Sequence, residues 1–489
     1  MPPVRAPEQP AAEGSGHDCG PVTDGRFRGV GPGTPGYPPG RVTPISDVPQ
    51  VPARTSSAGR GRALTPTTRS RTRSLGLVGL GIIGSGLLVN GYLAIIARSL
   101  PAAEYAYFGA FWSIALVVGF GVFLPIEQET ARLMQVPDRP GRVLHASLFT
   151  ALLLAAAEVV VVLALSPVLV RAFGGEVWTI AALAVLCIAS AGQFVMRGAL
   201  IGMDRMDRHA LVMLWDTVLR VALAGAVALL IADPDSSIFA WTLVLAILLA
   251  HGPQLLALAR RRTRMGSVPD LGDATMTPRG VRRAVLPLLL GSLCAQLLLN
   301  GPPILVPLLA RDLAQADMAG RFVAGYTLAR IPLFLMVPLQ TALLPVLTRL
   351  LHGGDRAVLR KVTLRLSAGL LALAVVAFGL GYAIGPWLVG LVFGQGYRLG
   401  AFDMALLSVG VAAYLGMVLV TQVLVASVRH SHVAWAWLSG VVVAVVTVLV
   451  VPDLLLSAEL AFVLGSTVGW VVGTVLMLSR TRNRELTRV

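Results

Sequence analysis

The sequence predicts an all-α polytopic membrane protein: twelve transmembrane helices in two homologous six-helix bundles related by a pseudo-twofold axis along the membrane normal. Three observations predict it. Long apolar runs alternate with short polar connectors, the basic residues fall on one side of those connectors, and one stretch of sequence occurs twice.

The first observation rests on composition. Of 489 residues, 55% are hydrophobic and only 13% charged, far too apolar for a soluble domain of this length. From Leu75 onward the apolar runs are about 20 to 28 residues long, enough to cross a hydrocarbon core of roughly 30 Å. The expected spans are 75–97, 105–126, 145–170, 177–197, 209–231, 238–259, 284–309, 321–348, 362–393, 401–428, 432–451 and 456–479. A buried soluble helix explains any one run, but twelve in succession leave almost no polar surface for water.

The second observation is the distribution of 40 Lys and Arg against 25 acids. Connectors 126–145, 197–209, 259–284, 348–366 and 428–432 hold nineteen of the basic residues, and the connectors on the other side hold five. That is the positive-inside asymmetry of a cell (inner or plasma) membrane protein with both termini cytoplasmic. The basic excess therefore marks sidedness, and no nucleic-acid partner is expected. After the connectors and tails are counted, only Arg220 and Arg330 remain, both inside spans.

The third observation is the repeat. LLVNGYLAIIARSLPAAEY at 87–105 returns as LLLNGPPILVPLLARDLAQAD at 297–317. Asn90 and Asn300 are 210 positions apart, whereas Arg98 and Arg311, Glu104 and Asp317, and Pro125 and Pro338 are about 213 apart. SPVLVRAFGGE at 166–176 answers GPWLVGLVFGQGY at 385–397. Six spans return the chain to its starting side, so the two copies are parallel repeats with a cleft between them, and spans 1 and 7 are expected to face each other.

The domains follow: a disordered basic cytoplasmic tail at 1–74, a first bundle at 75–259, an Arg-rich cytoplasmic linker at 260–283, a second bundle at 284–479 and a cytoplasmic tail at 480–489. Residues 1–74 are rich in Pro, Gly, Ser and Arg and cannot bury enough surface to fold. Arg69, Arg71 and Arg73 read first as a topology signal, and the cluster also suits anionic lipid head groups. Cys19, Cys187 and Cys294 form neither a disulfide framework nor a metal spacing, so no metal or cofactor is expected.

Polar side chains at membrane depth are the candidate site residues, because each needs a partner or water. Arg220 lies about 17 Å into span 5 and Arg330 about 14 Å into span 8, both near the midplane. Asp216, one turn from Arg220, either neutralises it in a structural pair or takes part in ion coupling. Arg330 has no acid one turn away, which points to an anionic ligand or an interhelical partner. Glu158, about 20 Å into span 3, is a coupling-ion candidate or a neutral carboxyl bonded across helices. Asn90 and Asn300 are cavity-lining candidates or interhelical glue, each followed by Gly and the second by Pro302 and Pro303. His251 reads as structural, and Glu127, Gln128, Glu129, Thr130 and Arg132 as a solvated rim. Short outer connectors and the absence of a phosphate-cradling Gly loop exclude the usual enzyme and ATPase signatures.

Several stretches carry a resemblance: ARSLPAAEYAYFGAFWSIALVVGFGV, SPVLVRAFGGE and MRGALIGMDRMDRHALVML, then AGYTLARIPLFLMVPLQTALLPVLTRL and GPWLVGLVFGQGYRLG. Over residues 75–479 the chain resembles the polysaccharide flippases of the multidrug/oligosaccharidyl-lipid/polysaccharide exporter superfamily. The resemblance implies movement of a polyprenyl-pyrophosphate-linked oligosaccharide to the outer leaflet by alternating access, for cell-envelope polysaccharide synthesis. It also implies a cavity bounded by spans 1, 2, 7 and 8, with basic side chains for the pyrophosphate; Arg330 falls in the matching span 8 motif and Arg220 outside it. Expected partners are the lipid-linked glycan, anionic membrane lipids and envelope glycan assembly proteins. An ion-coupled multidrug exporter of the same superfamily is the alternative, and a membrane scaffold of an envelope-assembly complex another.

Overall fold

A computed structural model of the chain describes residues 68–135, 140–264, 276–335, 356–426 and 430–479, and residues 66–489 belong to one compact unit. Among the described residues every regular element is a helix. Helix α1 is Thr68–Ser99, α2 Ala102–Leu116, α3 Leu124–Met134, α4 Pro140–Ala164, α5 Ser166–Ala172, α6 Val177–Gly202 and α7 Met206–Leu230. Then come α8 Ser236–Arg264, α9 Pro278–Leu309, α10 Leu313–Ala329, α11 Arg356–Phe393, α12 Ala401–Ala426, α13 His430–Val450 and α14 Leu454–Leu478. A π-helical segment, Val117–Phe123, joins α2 to α3 in one continuous rod, and a 3-10 turn, Ile331–Leu335, follows α10.

Ten helices among the described residues are long and apolar enough to cross a membrane. Their outward side chains, such as Leu229, Leu230, Val375 and Leu449, are exposed and apolar, as a lipid-facing surface requires. This is a multi-pass membrane protein. Neither α1 nor α10 is among the ten: α1 covers the expected span 1, whereas α10 covers only the first part of span 8, and residues 336–348 lie outside the described residues. So do almost all of the tail at 1–74, the core of the linker and the tail at 480–489. Helix α1 begins at Thr68, ahead of the expected boundary at Leu75.

Local chemistry sets the helix starts. Thr277, Asp312 and Asp453 each accept a hydrogen bond from a backbone N–H of the first turn of α9, α10 and α14, satisfying donors the helix leaves orphaned. Pro278 at the first position of α9 loses no bond there.

The packing falls into two sets. In the first, α1 lies on α7, α7 on α8, α8 on α6, and α6 on α3 and α4; in the second, α11 lies on α12, α12 on α14 and α14 on α13. Helix α9 packs on α13 and α14 and also along α2, the π segment and α3, while α10 packs on α2. The contacts between the sets therefore run through expected span 2 against spans 7 and 8. Helices α1 and α9 have different main neighbours instead of packing along each other.

One end of the molecule is sewn shut across the sets. Asp317 Oδ1 accepts from the N–H of Ala103 at 3.1 Å, Tyr397 donates to the Leu100 carbonyl at 2.8 Å, and Arg98 donates to the carbonyls of Leu391 and Val392. Burial pushes the Tyr397 phenol up, with the nearby Asp317 charge acting the same way, so it stays a donor. Gly320 makes the closure possible: a Cβ there would sit on the backbone of Ala102.

Candidate functional site

The site grows out of four prolines. Helix α10 stops at Ala329 because Pro332 disfavours helical geometry at Ile331 and supplies no N–H. The break leaves Arg330 at the C-cap, its own N–H still bonded to the Tyr326 carbonyl. Helix α9 carries Pro302, Pro303 and Pro307 inside it. The N–H that would satisfy the Leu299 carbonyl belongs to residue 303, which is a proline. Tyr326 fills the gap: its hydroxyl donates to Leu299 O at 2.6 Å. One turn earlier Tyr414 donates to the Ala295 carbonyl at 3.2 Å.

This scaffold brings Arg330 to Asn300. Asn300 Nδ2 donates to the backbone and side-chain oxygens of Gln296 at 3.1 and 2.9 Å. That orientation leaves Oδ1 to accept from Arg330 Nη1 at 2.8 Å. The guanidinium carbon lies 4.9 Å from the Tyr326 ring centroid, a cation–π contact. Arg330 is only 9% exposed, and among the described residues no carboxylate forms an ion pair with it. Of the expected interhelical partners a neutral one, Asn300, is present, and among the described residues no carboxylate cancels the charge.

The first set treats its cation differently. Arg220 and Asp216 form the expected one-turn ion pair on α7, with the Arg220 guanidinium 5.8 Å from the Trp112 ring and Thr217 bonded to Ser85 of α1. Asn90 donates to the Gly86 carbonyl of its own helix at 2.9 Å, and its buried Oδ1 has no partner among the described residues. Asn90 and Asn300, matched in the repeat, thus differ in their partners. No hydrogen bond or ion pair joins Arg220 to Arg330 among the described residues. Glu158 stands apart on α4, both carboxylate oxygens buried without a partner there. His251 is buried, its Nδ1 donating to the Ile247 carbonyl and its Nε2 accepting from Gln193 at 3.5 Å, contacts that suit the structural reading.

Two expectations need correction. Arg197 was placed in a connector, but α6 runs on to Gly202, so a third arginine lies within a span. It is buried in an ion pair with Glu127 at 3.0 Å and stacks 4.7 Å from Phe194. The apolar continuation Gly198 to Ile201 was the available signal. The supposed solvated rim is likewise not solvated: Glu127, Glu129 and Thr130 are buried, because Gly198 lets α6 lie directly on the backbone of Glu127. Only Arg132, paired with Glu129, and Gln128 face outward. No group of His, Cys, Asp and Glu suited to a metal ion occurs among the described residues.

No family model matches the chain. An uncharacterized protein of Mycobacterium tuberculosis (strain ATCC 25618 / H37Rv) is 26% identical over 430 residues, covering 86% of this chain and 95% of its own. An uncharacterized protein of Mycobacterium bovis is 26% identical over 429 residues, covering 83% and 92%. Among solved structures, the chain is similar to the inward-facing conformation of a multidrug resistance MATE family transporter of the MOP superfamily. The TM-score is 0.63 and the identity 15%, covering 82% of this chain and 97% of that one. The outward-facing conformation of a transporter of that description gives a TM-score of 0.52 at 15% identity, covering 82% and 93%. A MOP superfamily transporter from Pyrococcus furiosus, for which reverse polarity of the binding pocket suggests a different function, gives 0.55 at 16% identity, covering 83% and 95%. The fold is that of MATE transporters.

Proposed function

We propose that this protein is a membrane transporter that works by alternating access and carries amphiphilic solutes with an anionic group, in a cleft between the bundles 75–259 and 284–479. Arg330 is the observation that carries the reading. A cation kept near mid-membrane costs a few kcal/mol by insertion scales, and among the described residues only neutral groups hold this one. An anion entering the site supplies the missing countercharge; a cationic solute is repelled. The closed end and the greater likeness to an inward-facing transporter support a state whose cleft opens at the arginine-rich end, which the positive-inside rule makes cytoplasmic.

A multidrug exporter, the first reading, has the support of the names borne by the structural neighbours, and its preference for organic anions rests on Arg330 alone. A flippase for a polyprenyl-pyrophosphate-linked oligosaccharide, the second reading, has the support of the sequence resemblance and of the same need for a cation. Glu158 and Asp216, each with a carboxylate oxygen left unbonded among the described residues, remain proposals for the coupling ion. Anionic lipids are the proposed partners of the arginine-rich end, and the membrane-scaffold reading rests on sequence alone.

Proteoliposomes test this directly. An anionic fluorescent amphiphile should be transported and its cationic analogue should not, and leaflet accessibility of a pyrophosphate-linked polyprenyl glycan separates the two readings. Transport of the cationic dye alone would overturn the proposal.

A further inference from the structure

The rod formed by α2, the π segment and α3 is tied to different partners along its length. Its α2 part belongs with α10, through Asp317 and the N–H of Ala103 and the close approach of Gly109 to Val323. Its α3 part belongs with α6, through Glu127 and Arg197 and through Gly198 and Gly202 against the backbone of Glu127 and Ala131. Between them lie seven residues of π helix, Val117–Phe123, a geometry that is rare and loosely bonded.

The π segment contains a carbonyl that its own helix cannot serve. In an i→i+5 pattern Phe120 O would accept from residue 125, and residue 125 is a proline. Ser292 of α9, from the other set, donates to that carbonyl at 2.8 Å, beside the tight contact of Gly121 with Leu293. The repeat carries the same device with a different outcome. At the offset of 213, Val117 corresponds to Arg330, where α10 breaks into its 3-10 turn. At the offset of 210, the first-repeat counterpart of Ser292 is Ile82, which has no donor.

We infer that Val117–Phe123 is the swivel about which the α2 arm parts from α10 when the closed end opens, and that the Ser292 hydroxyl on Phe120 O is the pin holding it closed. The inference rests on the alternating-access reading. It requires the bond to be present in the closed-end state and broken in the other. Losing one neutral hydrogen bond of about 1 kcal/mol then shifts the ratio of the two states about fivefold toward the opened one.

Pulsed electron-spin distances on the full chain in lipid nanodiscs test this, with labels at Pro101 and Leu313 across the closed end. A control pair, Gln128 and Arg205, lies at the other end. Ser292→Ala should enrich a longer 101–313 distance about fivefold while the control pair stays put, and Ser292→Thr, which keeps the hydroxyl, should match the wild type. Identical 101–313 distributions in Ser292→Ala and wild type would overturn the pin. A parallel shift of the control pair would overturn the swivel, because α3 would then travel with α2 as one rigid rod instead of staying with the rest of the first set. The readout needs no substrate, so a swivel that moves in a protein transporting neither test dye would count against the proposed function and not against the inference.

Discussion

Arg220 and Arg330 belong to the two different sets of helices and are kept in opposite ways. Arg220 has a carboxylate one turn away, and the pair is neutral before anything binds. Arg330 has an amide oxygen and a ring face, which satisfy its hydrogen-bonding and packing needs without cancelling its charge. Arg197, paired with Glu127, follows the first pattern. The difference teaches that this fold can bury an arginine with its countercharge, so the one of these three without a carboxylate among the described residues is the one the proposal assigns to a ligand.

Removing the carboxylate from the compensated pair should have the largest effect. Asp216→Ala leaves Arg220 buried without its countercharge, a loss of about 3–5 kcal/mol, so thermal unfolding in detergent should shift steeply downward and membrane abundance should fall. If Asp216→Ala unfolds like wild type, the pair is not what makes Arg220 tolerable. Asn300→Ala should cost less, about 1–3 kcal/mol, by stranding one charged donor of Arg330. The same unfolding curve measures it, and a loss as large as that of Asp216→Ala would mean that Arg330 also depends on its partner for stability.

Asn300→Asp sharpens the comparison, because it gives Arg330 the carboxylate that Arg220 already has. Stability should hold or rise while transport of an anionic amphiphile falls, since the site is then neutral. Undiminished transport would detach the charge from the function. The smallest effect belongs to Tyr326→Phe, which removes the hydroxyl from the Leu299 carbonyl but keeps the ring under the guanidinium. A loss of about 1 kcal/mol is expected, visible as a small decrease in the melting temperature.

The sequence was explicit about what lies along one helix and silent about what lies between helices. Apolar run lengths located the membrane helices, and the one-turn spacing of Asp216 and Arg220 announced their pair. Arg330 and Asn300 were each singled out by depth and repeat register, yet their bond spans thirty positions and two helices, and no periodicity encodes that. The Tyr326 contact was hidden for a related reason: the proline that frees the Leu299 carbonyl is visible, but the hydroxyl that finds it is not. Arg197 was misplaced because a charged residue ended the apolar count, whereas the buried Glu127 beside it allowed the helix to continue. The two asparagines show the limit of the repeat itself, since equal register gave one a cation and the other its own backbone.

The central claim is that the charge of Arg330 is kept for the substrate and not for the fold, and Arg330→Gln tests it most directly because glutamine still bonds Asn300. The measurement pairs the initial rate of anionic-amphiphile transport in proteoliposomes with the melting temperature of the same preparation, with Arg330→Lys alongside. The account predicts an unchanged melting temperature, a rate reduced at least about tenfold in Arg330→Gln, the equivalent of about 1.4 kcal/mol, and an intermediate rate in Arg330→Lys, which offers a point charge instead of a two-pronged fork. Wild-type transport in Arg330→Gln, or collapse of stability in both variants, would contradict it.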